Sequence, residues 1–220
     1  MKATIFDCDR TLVDSEVLAN GVLVEMVAEH GLSLSVDDAL AQFRGGTMDK
    51  IVDQIEVWLG SSLPEDFVPS LRERTAEAFR VRLEPVDGAI DLIRATPGPF
   101  CVASSGPLER IRLSLSLTGL LPFFEGRIFS SYEVGTWKPD PGLFLHAAHA
   151  MGVEPQECAV VEDSLPGIQA GVAAGMKVFA FQPYGVDPEI PPEVVIVKRL
   201  SDSQSMIGTG KAVDRDQPRI

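Results

Sequence analysis

The chain is poor in cysteine, in positive charge and in long apolar runs, and each shortage excludes something. Cysteine occurs three times, at Cys8, Cys101 and Cys158, an odd number with no CxxC spacing. That count builds neither a disulfide framework nor a thiolate metal site, and it reads as buried free thiols in a reducing cytoplasm. Lys and Arg number 19 against 32 Asp and Glu, a net charge of -13. Such a balance cannot neutralise a nucleic-acid backbone, which argues against a nucleic-acid partner. It does not exclude a small phosphate, which responds to the local field of a site. No apolar stretch is long enough to span a bilayer. The N-terminal Lys2 leads into an apolar run too short for a signal peptide, with no small-residue cleavage site. No internal repeat is present. What remains is an ordinary globular composition, 45% hydrophobic over 220 residues. That length suits one large domain or a domain carrying an insertion.

Short β-rich runs recur at Ala3 to Phe6, Phe100 to Ala103, Arg127 to Phe129, Ala159 to Val161, Lys177 to Phe181 and Val194 to Val197. Between the later ones lie helical patterns at Leu108 to Leu117, Gly142 to Met151 and Pro166 to Ala174. Strands alternating with helices predict a parallel α/β sheet of Rossmann-like type with right-handed crossovers. The interval from 16 to 83 differs, because it holds helical patterns and no convincing strand. Helices are expected at Val17 to His30, Val36 to Phe43, Met48 to Leu59 and Glu65 to Arg82, with glycine and proline breaks between them. The expected organisation is a discontinuous α/β core, 1–15 with 84–210, an inserted all-helical cap domain, 16–83, and a polar tail, 211–220. An insertion directly after the first strand favours a lid, because ligands of open α/β sheets bind outside the carboxyl ends of strands.

Four strand ends carry polar chemistry. The first reads IFDCDRTLVDS, with Asp7 and Asp9 on one side if the strand continues. Cys8 between them points the other way and reads as core. A lone DxD is common in turns. The second end, CVASSG, offers Ser104 and Ser105 before a helix start, where anions bind, although serine there is more often a cap. The third is followed by WKPDP, in which Pro139 keeps Lys138 extended. A Lys on a stiff loop is a point charge for phosphate or carboxylate, and a solvated surface Lys otherwise. The fourth ends in Glu162 and Asp163, and two acids beside another acidic pair suit a hard cation such as Mg²⁺. Each signal alone has an ordinary explanation. In a parallel sheet all four share one edge.

With these residues in that order, the chain resembles the haloacid dehalogenase superfamily over about residues 3 to 183. The helical insertion resembles its members with a small α-helical cap. FDCDRTLVDSE, CVASSGP and WKPDP look most like its bacterial sugar-phosphate phosphatases, in particular those acting on 6-phosphogluconate. The resemblance implies a Mg²⁺-dependent phosphatase of a small sugar or sugar-acid phosphate, working through an aspartyl-phosphate. It implies Asp7 as nucleophile, Asp9 as general acid and then base, and Lys138 as the charge offsetting repulsion between carboxylate and phosphate. It implies a metal held by Asp7, the Asp9 carbonyl and Asp163, with Glu162 nearby or acting through water. Ser104, Ser105 and Lys138 would hold the phosphate, and Thr11 would order the loop that aims Asp9. Asp9 itself argues for phosphate chemistry, since dehalogenating relatives generally lack it.

Arg10 departs from the glycine many relatives carry. If the loop needs positive φ there, Arg10 is strained; otherwise it points outward or meets the cap. Arg44 and Lys50 of the cap are candidates for reading an anionic group distant from the phosphate, with a solvated linker as the ordinary alternative. Related phosphomutases carry an Arg near Met48 and a His near Ala19, and neither is found here. That weighs against, without removing, a mutase of the β-phosphoglucomutase type. A non-catalytic phosphometabolite sensor, silenced by Arg10, is a further alternative. Cap movement would hinge near Asp14-Ser15 and Leu83 to Val86. The expected setting is the cytoplasm, with a small phosphorylated metabolite as partner, neither nucleic acid nor membrane, and a monomer or weak dimer.

Overall fold

A computed structural model describes residues 1–43, 46–183 and 185–207, so the expected polar tail falls outside the described residues. Among these residues the strands are β1 (Ala3–Phe6), β2 (Phe100–Ser104), β3 (Ile128–Ser130), β4 (Cys158–Glu162), β5 (Lys177–Phe181) and β6 (Val195–Val197). They form one sheet in the order β3-β2-β1-β4-β5-β6, and every pairing is parallel. The first strand is central, so the order reverses on either side of it, and the crevice at its carboxyl end is where such a sheet receives a ligand.

The sheet is buried on both faces because helices cover both. Alternation along each strand sorts the side chains. Phe6, Val102, Val161 and Phe179 face one core with α5 (Ala89–Ala95), α6 (Leu108–Leu117), α7 (Leu121–Phe124) and α11 (Leu200–Ile207). Ile5, Cys101, Val160 and Val178 face the other core with α9 (Gly142–Ala150) and α10 (Leu165–Ala173). A one-turn helix, α8 (Ser131–Val134), follows β3. All three cysteines are buried and free.

Between β1 and α5 the chain forms α1 (Glu16–Glu29), α2 (Val36–Phe43), α3 (Met48–Leu59) and α4 (Phe67–Arg82), and no strand among the described residues. Val22, Leu23, Met26 and Val27 recur at three- and four-residue spacing on α1. They meet Phe43, Ile55, Phe67 and Leu71 in a separate apolar cluster. The C-terminal end of α4 behaves differently, for Phe79 and, just past the helix, Leu83 join the sheet-side core. The two connections between these helices and the sheet run side by side. Val13 bridges Pro85 in antiparallel fashion, the Asp14 amide donates to the Glu84 carbonyl at 3.0 Å, and the Val86 amide donates to the Leu12 carbonyl at 3.0 Å. No described helix is long and apolar enough to cross a membrane.

Sequence patterns overlooked α5, α7 and α8, whose lengths of 7, 4 and 4 residues are too short for helical periodicity to show. The expected limits of β1 and β5 match, and the other strands differ by one residue at one or both ends, most usefully at β4, which runs on to include Glu162.

Candidate active site

Asp7 follows β1 directly and extends its ladder, the Asp7 amide donating to the Val161 carbonyl at 2.9 Å. That pins the Asp7 carboxylate at the carboxyl edge of the sheet. Cys8 turns into the core, as alternation requires. Past Cys8 the chain folds back on itself, the Leu12 and Val13 amides both reaching the Cys8 carbonyl and the Arg10 amide reaching the Val13 carbonyl. The tight turn places Arg10 at φ 59, the one described non-glycine residue with positive φ. Its side chain is held on both sides. It donates to Glu16, the first residue of α1, and its Nε lies 3.4 Å from Asp163 Oδ2. Arg10 is therefore in the strained region and also in contact with the inserted helices.

Lys138 stands on the loop before α9, at a cis Lys138–Pro139 peptide, with its Nζ 5.0 Å from the centre of the Phe144 ring. The ammonium donates to Asp7 Oδ1 at 2.6 Å and to Glu162 Oε2 at 2.6 Å. The three side chains are 5%, 8% and 1% exposed, so water screens this triad little. Glu162 is further committed, its Oε1 accepting from the Asp163 amide, the Ser164 amide and the Ser164 hydroxyl at 3.1, 2.9 and 2.8 Å. Gly167, in the first turn of α10, lets that helix approach. A Cβ there would stand 2.1 Å from Glu162 Cδ.

The carboxyl oxygens of Asp7, Glu162 and Asp163 include one atom from each within 4.8 Å of the others. Burial, then repulsion from Glu162, pushes Asp7 up to about 8 despite the attraction of Lys138. Burial and the same neighbours, Glu162 and then Asp7, raise Asp163 well above the carboxylate range against Arg10. Burial alone would depress Lys138, but Asp7 and Glu162 outweigh it and hold the ammonium above its ordinary value. Buried, like-charged oxygen donors that resist joint ionisation fit a hard divalent cation, which would replace protons there. Thr11 Oγ1 reaches Asp163 Oδ1 at 3.4 Å, and Gln182 Nε2 donates to the Asp163 carbonyl at 2.6 Å.

Asp9 accepts from the Ser15 hydroxyl and, at 3.1 Å, from Arg110 Nη2. Ser104 is buried at the end of β2, its hydroxyl accepting from the Gly106 amide at 3.1 Å. The Ser130 hydroxyl donates to the Gly106 carbonyl at 2.6 Å and fixes that turn. Asp7, Asp9, Ser104, Ser105, Lys138, Glu162 and Asp163 all line a single cavity of about 600 Å³ between the sheet edge and the inserted helices. Of the two cap candidates, Arg44 lies outside the described residues. Lys50 does not line the cavity and is exposed. The reason is helical phase. On α3 Met48 and Ile51 turn to the cavity and Ile55 is buried, which leaves Lys50 on another face.

Sequence reading missed Arg110, Arg72 and Arg80, which line the cavity, and Glu16, which holds Arg10. Glu16 was readable as an acid in the first turn of α1, but only its proximity to Arg10 gives it a task.

The comparisons with known proteins agree with this geometry. A family model for haloacid dehalogenase-like hydrolases matches residues 1–175. The 6-phosphogluconate phosphatase of Escherichia coli strain K12 is 37% identical over 204 residues, covering 91% of this chain and 92% of that protein. Hexitol phosphatase B of the same strain is 30% identical over 180 residues, covering 80% and 81% of the two chains. A haloacid dehalogenase-like protein of unknown function from Agrobacterium tumefaciens has a crystal structure that superposes with a TM-score of 0.81 at 30% identity, covering 94% of this chain and 97% of that one. By sequence over most of its length, and by a parallel sheet with an acidic cluster at its carboxyl edge, this chain belongs to the haloacid dehalogenase-like hydrolases.

Proposed function

We propose that the protein is a phosphatase of a small phosphorylated metabolite, a sugar-acid phosphate such as 6-phosphogluconate, dependent on Mg²⁺. The observation that carries the reading is the Asp7–Lys138–Glu162 triad, in which a buried ammonium bonds a carboxylate facing a cavity. Lys138 lowers the repulsion that a phosphate dianion would meet at Asp7, and Glu162 holds Lys138 there. The 6-phosphogluconate and hexitol phosphatases among its relatives support the substrate class.

In the first displacement an Asp7 oxygen forms a bond to phosphorus while the bond from phosphorus to the sugar oxygen breaks. Asp9 gives its proton to the leaving alkoxide. In the second, water attacks the same phosphorus, Asp9 takes the water's proton, and Asp7 leaves as the free carboxylate. The Ser104 hydroxyl and the backbone amide of Ser105 would hold phosphate oxygens. Asp7 and Asp163, with the Asp9 carbonyl, would hold Mg²⁺, since both Glu162 oxygens already accept from protein donors. Bound there, Mg²⁺ would supply charge stabilisation on the transferring oxygens.

The test is phosphate release from a panel of sugar, sugar-acid and hexitol phosphates and nucleotides, with Mg²⁺ and with chelator. Release from 6-phosphogluconate that vanishes with chelator and in Asp7→Asn is expected. Release that survives Asp7→Asn refutes the covalent route. Transfer of phosphate between positions of one sugar, stimulated by a bisphosphate, would make the protein a mutase.

A further inference from the structure

The cavity holds more cationic side chains than Lys138 alone. On α4, Arg72, Thr75, Ala76, Phe79 and Arg80 line it, a three- and four-residue spacing that turns one helical face inward. Ala76 between the two arginines is small and leaves them room. Arg110, the third residue of α6, enters from the sheet side. Its Nη2 meets Asp9 Oδ1 at 3.1 Å, and its guanidinium sits 5.6 Å from the centre of the Phe79 ring. The ring borders the fork and helps to fix its plane. One hydrogen bond to Asp9 engages a fork of five N–H donors, and Arg110 Nε is buried with no hydrogen-bond partner. The group already in the fork is a carboxylate, which shows the acceptor shape that fits it. The same cavity is lined by Asp7, Asp9, Glu16, Glu109, Glu162 and Asp163, so a second anionic group on a substrate enters against six carboxyl groups. Besides Lys138 and Arg10, which already meet Asp7, Glu162, Glu16 and Asp163, the guanidiniums of Arg72, Arg80 and Arg110 offset that repulsion.

We propose that Arg110 determines specificity for phosphate esters carrying a carboxylate, by opening its fork to the substrate carboxylate beside Asp9. Arg72 and Arg80 add attractive charge across the cavity. The inference rests on the phosphatase reading of this site and names the second group its substrate bears.

The experiment compares 6-phosphogluconate with glucitol 6-phosphate, in which a hydroxymethyl group replaces the carboxylate and nothing else changes. Arg110→Gln should lower kcat/KM for 6-phosphogluconate about ten- to hundredfold, the worth of a charge-assisted forked pair. Through its bond to Asp9 the same change also lowers kcat/KM for glucitol 6-phosphate, but less, so the ratio of the two values should fall about tenfold or more, and Arg110→Lys should recover part of the difference. Equal losses on both substrates would overturn the inference, since Arg110 would then act through Asp9 alone. The ratio of dissociation constants for the two compounds, measured by calorimetry on an Asp7→Asn background, should collapse in the same way. If the native protein releases phosphate from neither compound, the phosphatase reading of this substrate class falls. The dissociation-constant ratio still decides Arg110: a ratio unmoved by Arg110→Gln, or no binding of either compound, overturns its role.

Discussion

Replacing Arg10 with glycine separates two opposing effects at one residue. The left-handed backbone at φ 59 costs a non-glycine residue about 1–2 kcal/mol. Glycine relieves that but loses about 0.5–1 kcal/mol more conformational freedom on folding, so the backbone gains only slightly. The side chain decides the sign. Arg10, Glu16 and Asp163 have side chains 17%, 19% and 9% exposed, so the two ion pairs are weakly screened. Losing contacts of this kind costs about 1.5–3 kcal/mol each when the partner stays buried. Taking the lower figure for each contact, Arg10→Gly without metal should destabilise the fold by about 2.5 kcal/mol after the backbone gain, a fall of roughly 5–10 °C in Tm for a chain of this size. With Mg²⁺ saturating, the metal meets Asp163 and only the Glu16 pair is missed, so the loss shrinks to about 1 kcal/mol. The cycle closes on a metal that binds roughly tenfold tighter in Arg10→Gly, since about 1.4 kcal/mol is a factor of ten. Thermal melts with chelator and with Mg²⁺, and titration calorimetry of the metal, measure all sides of that cycle. Arg10→Met keeps the strain and loses the charge, and should be the least stable of the three proteins. Equal destabilisation with and without Mg²⁺, together with an unchanged metal Kd, would refute the reasoning.

Lys138→Met should abolish turnover by at least about a thousandfold, because it also strands two buried carboxylates, and single-turnover kinetics on 6-phosphogluconate would measure it. Asp7 rises from 3.8 to about 8 on folding, so its contribution to stability is full below about pH 4 and is lost as pH climbs toward 8. The metal-free Tm should accordingly fall between pH 5 and 8. Mg²⁺ should bind more tightly across the same window and release protons, which calorimetry in buffers of different ionisation enthalpy detects; a Kd flat from pH 5 to 8 would contradict this. Gly167→Ala forces a carbon into Glu162 and should cost about 1–3 kcal/mol while loosening Lys138, visible as a lower Tm and a lower kcat; unchanged values would show that the helix simply shifts.

The sequence by itself determined the class of fold and the family. Short β-rich runs such as Ala3 to Phe6, glycine and proline breaks and the order of strands and helices are local signals, and a parallel sheet follows from them. The four polar strand ends were legible because a parallel sheet has one carboxyl edge, so sequence order alone gathers Asp7, Ser104, Lys138 and Asp163. Short helices such as α5 escaped notice because seven residues hardly complete two turns. Tertiary structure alone decided the rest. Helical spacing names the residues that share a face but not what the face meets, so it could not pick Arg72 and Arg80 or reject Lys50. Arg10 was open between strain and contact until its φ and its contacts with Glu16 and Asp163 were in view, and both descriptions hold. Arg110 and Asp9 lie 101 residues apart, and no local pattern encodes a hydrogen bond that exists only because α6 begins where β1 ends, at one edge of one sheet.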